Sequence, residues 1–344
     1  MIKEQQKQQI LFLTKFYFPH VGGVEKHVSE IADRLISKKF SIIIITEQYR
    51  KDLPLFEKGK KLTIHRIPVP KSVFLKKFFI WKWFLMNFKI FKGTNIIHVH
   101  DIFYWILPFW FFIPKKKIFI TFHGYEGFPI KKSWIFARKI AESLTQGNIC
   151  VGNFMKKWYG TRPNFVIYGA VEAKKLKNNH FKKKSIIFFG RLDSQTNILE
   201  YTQGFKRLFK KDKKYSLDVF GDGELAAKLK KPIVVHNFNE NVQGILYKYE
   251  YVFVSRYLSI LEAMQSKKLV FAYYDNEIKK DYILDSPFSK YIISASSPKE
   301  LALKVEHYSK SEAEKEEMIE KGYNFSSKQT WEKVVNTYLK LWFG

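Results

Sequence analysis

The stretch YVFVSRYLSILEAMQSKKLVFA, Tyr251 to Ala272, decides the fold. A β-rich apolar run opens it, a helical pattern follows, and a second β-rich run, KLVFAY (268–273), closes it. One carboxylate, Glu262, stands in the middle. A buried, unpaired charge is costly, so this side chain has to be neutralised, paired or turned to a cleft.

Outward from this unit the same alternation repeats. Apolar runs that read as buried strands are QILFLT (9–14), SIIIIT (41–46), NIIHVH (95–100), KIFITF (117–122), SIIFFG (185–190), YSLDVFG (215–221), PIVVH (232–236) and YEYVFVS (249–255). Strands apolar on both faces, alternating with helices, predict parallel sheets covered on both sides. The polar segment EAKKLKNNHFKKK (172–184) divides the runs into two series, so it reads as a linker between two Rossmann-like domains. There is no repeat of solenoid length.

The chain has 344 residues, 46% of them hydrophobic, which is enough for two cored domains and excludes global disorder. Its single cysteine, Cys150, permits no intramolecular disulfide and fits a reducing compartment. The opening MIKEQQKQQILFLT is polar, then briefly apolar, and does not read as a signal peptide. A formal charge of +28 favours an anionic partner: nucleic acid, an anionic membrane or a phosphorylated substrate. No nucleic-acid-binding motif accompanies it, so no nucleic acid is expected.

Residues 71–92, KSVFLKKFFIWKWFLMNFKIFK, hold six lysines, eight Phe or Trp and no acid. On a helix, Phe74, Phe78, Trp81, Leu85 and Phe88 share one face, while Phe79, Ile80, Trp83 and Ile90 lie on the other. One face is expected to pack on the domain and the other to enter a lipid headgroup layer, with lysine stems snorkelling. The alternative is a buried helix or helix pair lined with lysines. IFYWILPFWFFIP (102–114) is too short to span a bilayer and reads as a core helix or a second interfacial element.

Strand ends carry the candidate chemistry. KFYFPHVGGVEKHV follows the first strand; Gly22 and Gly23 let the backbone approach a ligand at a helix N-terminus. In TFHGYEG, His123 ends a parallel strand, where such folds bind ligands, and could donate a hydrogen bond to a sugar hydroxyl or serve only the local backbone. His98 and His100, in HVHD, read as strand-end residues, and with Asp101 they make a weak case for a metal. In FFGRLD, Arg191 is placed to meet a diphosphate. Gly221 opens the turn GDGE, where backbone can approach a nucleotide.

Taken in order, PHVGGVEKHV, HVHD, TFHGYEG, VIYGAVE, FFGRLD, VFGDGE, LSILEAM and a terminal SSKQTWEKV resemble the family 4 (group 1) retaining glycosyltransferases over nearly the whole chain. The resemblance implies an α/β GT-B fold, two Rossmann-like domains facing each other across a deep cleft. Residues 1–172 would hold the acceptor, 173–325 the nucleotide-sugar donor, and 326–344 would be a helix crossing back to the first domain. It implies that Glu262, at the start of a helix, binds the donor ribose, and that the backbone of Ser259, Ile260 and Leu261 meets the donor phosphates. Gly22, Gly23 and Arg191 would lie at the diphosphate and His123 at the donor sugar.

Two family residues are missing. Val254 stands where the family carries its first glutamate, and Thr196 where it carries a lysine. The resemblance therefore implies sugar transfer from a nucleotide-diphosphate-sugar to a glycan or lipid-linked acceptor, in surface polysaccharide or glycolipid synthesis. No metal or other cofactor is expected, and the place is cytoplasmic, peripheral on the inner face of the cell membrane through 71–92. The alternative is a non-catalytic GT-B protein that binds nucleotide-sugar or glycan and supports a partner enzyme.

Overall fold

A computed structural model describes residues 8–70, 72–113, 116–172, 180–239 and 241–344. The chain divides into two compact units, Met1–Ile167 with Trp331–Gly344, and Tyr168–Thr330. The division thus falls at Ile167/Tyr168 rather than at 172/173, and the terminal segment that joins the first unit begins at Trp331 rather than 326. Within the linker read at 172–184, residues 173–179 lie outside the described residues.

In the first unit the strands are β1 (Gln9–Thr14), β2 (Ser41–Glu47), β3 (Phe56–Lys58), β4 (Leu62–Ile67), β5 (Ile96–His100), β6 (Lys117–Phe122), β7 (Gly147–Val151) and β8 (Phe165–Ile167). They form one sheet in the order β3-β4-β2-β1-β5-β6-β7-β8. Every pair is parallel except the antiparallel β3–β4 edge. The helices are α1 (Gly23–Ser37), α2 (Val73–Met86), α3 (Lys89–Gly93), α4 (Lys132–Ser143) and α5 (Phe154–Tyr159). In the second unit β9 (Ser185–Phe189), β10 (Ser216–Phe220), β11 (Ile233–His236), β12 (Tyr251–Phe253), β13 (Leu269–Tyr273) and β14 (Ile293–Ala295) form an all-parallel sheet ordered β11-β10-β9-β12-β13-β14. Its helices are α6 (Ile198–Lys211), α7 (Tyr257–Gln265), α8 (Glu277–Leu284), α9 (Pro298–Tyr308) and α10 (Glu312–Ser326). The last helix, α11 (Trp331–Phe343), packs on α1 and β8 in the first unit.

Most of the apolar runs are strands buried on both faces: Ile10–Leu13 in β1 and Ile186–Phe188 in β9 expose essentially nothing, whereas the edge strand β11 exposes Val234 and Val235. The short strands β3, β4, β7, β8 and β14 carry less continuous apolar character and escape the sequence pattern.

In the basic aromatic segment the structure picks out the inner side of the helix. Ile80 and Phe84 are buried, Phe84 meeting the rings of Phe91, Trp105 and Phe109, while Lys76 reaches the buried carboxylate of Glu47 at 2.7 Å. On the face shared by Phe74, Phe78, Trp81, Leu85 and Phe88, Phe78 and Leu85 are 53% and 66% exposed, with Trp81 and Phe88 half-buried. The side chain of Phe74 lies outside the described residues. A helix apolar all round gives periodicity nothing to choose by; the neighbouring aromatic rings and Glu47 choose. Within the run 102–114, the described residues 102–113 form two short 3-10 turns, Phe103–Trp105 and Leu107–Phe112, in place of an α-helix, the second displaying Phe111 and Phe112 to solvent.

Candidate active site

In the first unit the candidate residues gather at the carboxyl ends of β5 and β6, where parallel strands of this kind present side chains to ligands. His123 follows β6, its backbone N–H donating to the Asp101 carboxylate at 2.9 Å. Asp101 holds a left-handed backbone (φ 65°), which Asp tolerates better than most residues. Beneath His123, its Nε2 meets Nδ1 of His100 at 2.8 Å. Arg138, on α4, is buried, donates to the Gly124 carbonyl and to Glu126, and stacks on Tyr159, so a charged anchor fixes the loop after His123.

A chain of buried hydrogen bonds runs behind this pair. Trp342 Nε1 donates to His98 Nδ1 (3.0 Å), His98 Nε2 meets Thr121 Oγ1 (2.8 Å), Thr121 meets Tyr338 OH (2.8 Å), and Tyr338 meets His27 Nε2 (2.9 Å). An indole can only donate, so His98 must carry its proton on Nε2. The arrangement that places every proton then runs one way: His98 to Thr121, Thr121 to Tyr338, Tyr338 to His27. Helix α11 is thus tied by Trp342 and Tyr338 to the strands that carry the site. Burial pushes His27, His98 and His100 well below the usual histidine range, and it holds His123 down at about 3, with neighbouring positive groups adding to the shift. All four rings are neutral at pH 7. Among the described residues no three His, Cys, Asp or Glu side chains are disposed to hold a metal ion.

The same logic gives the His100–His123 pair a direction. Among the described residues, His100 Nε2 is buried with no hydrogen-bond partner. If His123 donated to His100 Nδ1, the proton of His100 would sit on that orphaned nitrogen, and a buried unsatisfied N–H is the costlier fault. His100 therefore donates, and His123 keeps its own proton on Nδ1 as a donor.

Gly22 is the N-cap residue of α1, in extended conformation. Glu25 turns its carboxylate back over this helix end, so a Cβ on Gly22 would lie 2.3 Å from Glu25 Oε2. An acid already meets the helix N-terminus at the Gly22–Gly23 turn.

In the second unit Arg191 follows β9 and is half-exposed, with Nε 3.3 Å from Asp193 and Nη2 donating to Gln195 Oε1 at 3.2 Å. Gly221 has a packing reason: a Cβ there would lie 2.0 Å from the Gly190 carbonyl oxygen. Gly223, at φ +153°, is crowded by the Leu192 backbone in the same way. The GDGE turn is therefore approached by the chain itself and braces the loop that carries Arg191.

Glu262 lies in the sixth position of the nine-residue α7, not at its start, so the helix dipole gives it little. It is 7% exposed. Of the three residues read as phosphate-facing, Ser259 has its N–H in the open first turn, whereas the N–H of Ile260 is bonded to the Arg256 carbonyl (2.8 Å) and Leu261 lies one residue deeper. Val254 is core, its N–H on the Phe271 carbonyl. Thr196 donates its hydroxyl to the carbonyls of Arg191 and Asp193, a turn-building role. Sequence reading missed Arg138, Arg256, Lys279, His27 and Tyr338. His27 and Tyr338 were within reach, since each is a polar residue on the apolar stripe of a helix.

Two units, each built on a largely parallel sheet with polar groups at the carboxyl ends of its strands, match the GT-B fold. The sequence profile of Glycosyltransferase Family 4 matches residues 21–174. An uncharacterized glycosyltransferase of Methanocaldococcus jannaschii is 23% identical over 94% of this chain and 95% of its own. Sucrose-phosphate synthase of Thermosynechococcus elongatus shares the fold at TM-score 0.77 and 13% identity, covering 97% of this chain and 98% of its own. A variant of S. aureus TarM, solved with Fondaparinux, alpha-GlcNAc-glycerol and UDP, does so at TM-score 0.73 and 13% identity, covering 98% of this chain and 100% of its own. The chain is a GT-B glycosyltransferase, and its residues 21–174 are similar to Glycosyltransferase Family 4.

Proposed function

We propose that this glycosyltransferase moves a sugar from a nucleotide-diphosphate donor, with retained configuration, to a glycan or lipid-linked acceptor held by the first unit. The observation that carries the reading is the second unit's strand-end cluster: Arg191 after β9 beside the open first turn of α7, with Glu262 one turn further along. The TarM variant solved with UDP supports a nucleotide donor. The bond from the anomeric carbon to the diphosphate breaks, the acceptor oxygen bonds to that carbon on the same face, and the acceptor proton passes to the leaving diphosphate. Arg191 neutralises the leaving group, the Ser259 N–H assists it, Glu262 positions the ribose, and His123 donates from Nδ1 to the sugar. Gly22 and Gly23 serve the donor with Glu25 turned aside. Protein donors meet the diphosphate charge, so no metal takes part in this scheme.

The acceptor side is read from the first unit's surface. Phe78, Phe79, Leu85, Met86, Phe111 and Phe112 are exposed, with the exposed lysines 77, 82, 89 and 92 among them. Among the described residues no helix is long and apolar enough to cross a membrane. Seated on the inner, anionic face of a cell membrane, this surface brings a cytoplasmic enzyme to lipid-linked acceptors of surface polysaccharide or glycolipid assembly.

The test is transfer by purified protein from nucleotide-sugars, with the product's anomeric configuration read by NMR. The wild-type chain is expected to give a retained product and Glu262→Ala to lose transfer. Unchanged turnover in Glu262→Ala contradicts this placing of the donor, and an inverted product contradicts retention.

A further inference from the structure

Three cationic side chains of the second unit meet on one loop. Arg191 Nη2 and Arg256 Nη2 donate to the same oxygen, Gln195 Oε1, at 3.2 and 2.9 Å. Lys279, from α8 and 1% exposed, donates to the Gln195 carbonyl at 2.8 Å and to the Asn197 side-chain oxygen. The acceptors on Gln195 and Asn197 are neutral, and the Asp193 carboxylate, 3.3 Å from Arg191 Nε, offsets only part of the gathered charge. Arg256 is the N-cap residue of α7, so it stands at the end of that helix, where the Tyr257 N–H is taken by the Tyr282 hydroxyl at 3.0 Å and Ser259 lies in the first turn. Its own carbonyl accepts from Ile260, which keeps the residue fixed to that end.

Two guanidiniums sharing one neutral oxygen repel each other, and an anionic oxygen in its place would relieve the repulsion. The field is felt nearby: burial first and Arg256 second pull Lys279 down to about 7. Lys279 is too deep to touch a ligand and instead holds the loop that orients both arginines. Arg256 is half-buried, whereas Arg191 is half-exposed, so both reach solvent.

We propose that Arg256 is a second diphosphate-binding residue, clamping the pyrophosphate of a nucleoside diphosphate together with Arg191, and that Gln195 Oε1 holds the place of a phosphoryl oxygen until the ligand arrives. Thr196, occupied with the turn, does not bind the anion; the added cation comes from the other side of the loop, out of the segment between β12 and α7. This inference rests on the reading that places the donor in the second unit.

The test is calorimetric titration of the full chain with a nucleoside diphosphate, the matching monophosphate and inorganic pyrophosphate. Arg256→Ala is expected to weaken the diphosphate about tenfold or more while leaving the monophosphate within about twofold. Arg191→Ala should do the same, and the double variant should lose less than the product of the two, because both serve one group. Should Arg256→Ala fold poorly, Arg256→Lys, which keeps the charge and stem but not the fork, is expected to fall between. If Arg191→Ala loses diphosphate binding and both Arg256 variants bind as wild type, the role of Arg256 is overturned and the donor reading stands. If wild type binds and neither Arg191→Ala nor Glu262→Ala weakens it, the donor reading falls and takes this inference with it. Absence of binding by the wild-type chain overturns both.

Discussion

At the scale of single residues, Glu262 is buried, as its apolar neighbours in sequence demand, and it sits mid-helix rather than at the helix start. The residue that holds that start is Arg256, which the sequence offers without emphasis as one basic residue in SRYLS. His123 was legible as a strand-end histidine. What was not legible is the partner that sets its proton: His100 lies 23 residues earlier and is brought alongside by the pairing of β5 with β6. In nitrogen-detected NMR of the wild-type chain, His123 should carry its proton on Nδ1. His100→Phe, which removes the donor, should mix or reverse that state, and His100→Asn, whose amide can donate, should retain more of it. Protonation of His123 at Nε2 in the wild type would refute the assignment.

At the scale of elements, nine long apolar runs were readable because most of them are buried on both faces, so composition alone marks them, and the edge strand β11 is apolar enough to read although Val234 and Val235 are exposed. The short strand β3, 3 residues and all of them exposed, has no such signature. Helix α2 fails differently: its sequence names a helix but not its inner face. The exposed set that results gives a test. Replacing Phe78 and Phe79 with Ser should lower co-sedimentation with vesicles of anionic lipid severalfold at unchanged melting temperature, because neither side chain is core. Exchanging Lys82 and Lys89 for Glu should do the same and should also weaken the salt dependence of what binding remains. Equal sedimentation of wild type and both variants would remove the membrane from the account.

At the scale of the whole molecule, the first unit is closed by the last helix, and the hydrogen bonds that close it depend on neutral histidines. His27, His98 and His100 are 2%, 0% and 1% exposed, with pKa values driven well below the ordinary value by burial. In the unfolded chain they titrate near pH 6.5, roughly, so below that pH the unfolded state binds more protons. The stability they confer is full above the unfolded value and is lost as pH falls toward the folded values, at up to about 1.4 kcal/mol per pH unit for each proton. Urea unfolding followed by Trp fluorescence should therefore show a lower midpoint at about pH 5.5 than at about pH 7.5. An equal midpoint at the two values would mean the histidines are not buried neutral.

The central claim is that the second unit binds a nucleotide-sugar through the strand-end cluster that includes Glu262. A thermal-shift panel of UDP-, GDP-, ADP- and CMP-sugars on wild type and Glu262→Ala tests it most directly. Ligand at about 100 times its Kd stabilises by roughly 2.7 kcal/mol, which moves the melting temperature of a unit this size by several degrees. The account predicts a shift with one nucleotide class that disappears in Glu262→Ala. A flat panel on folded wild-type protein, or a shift that survives the substitution, would contradict it.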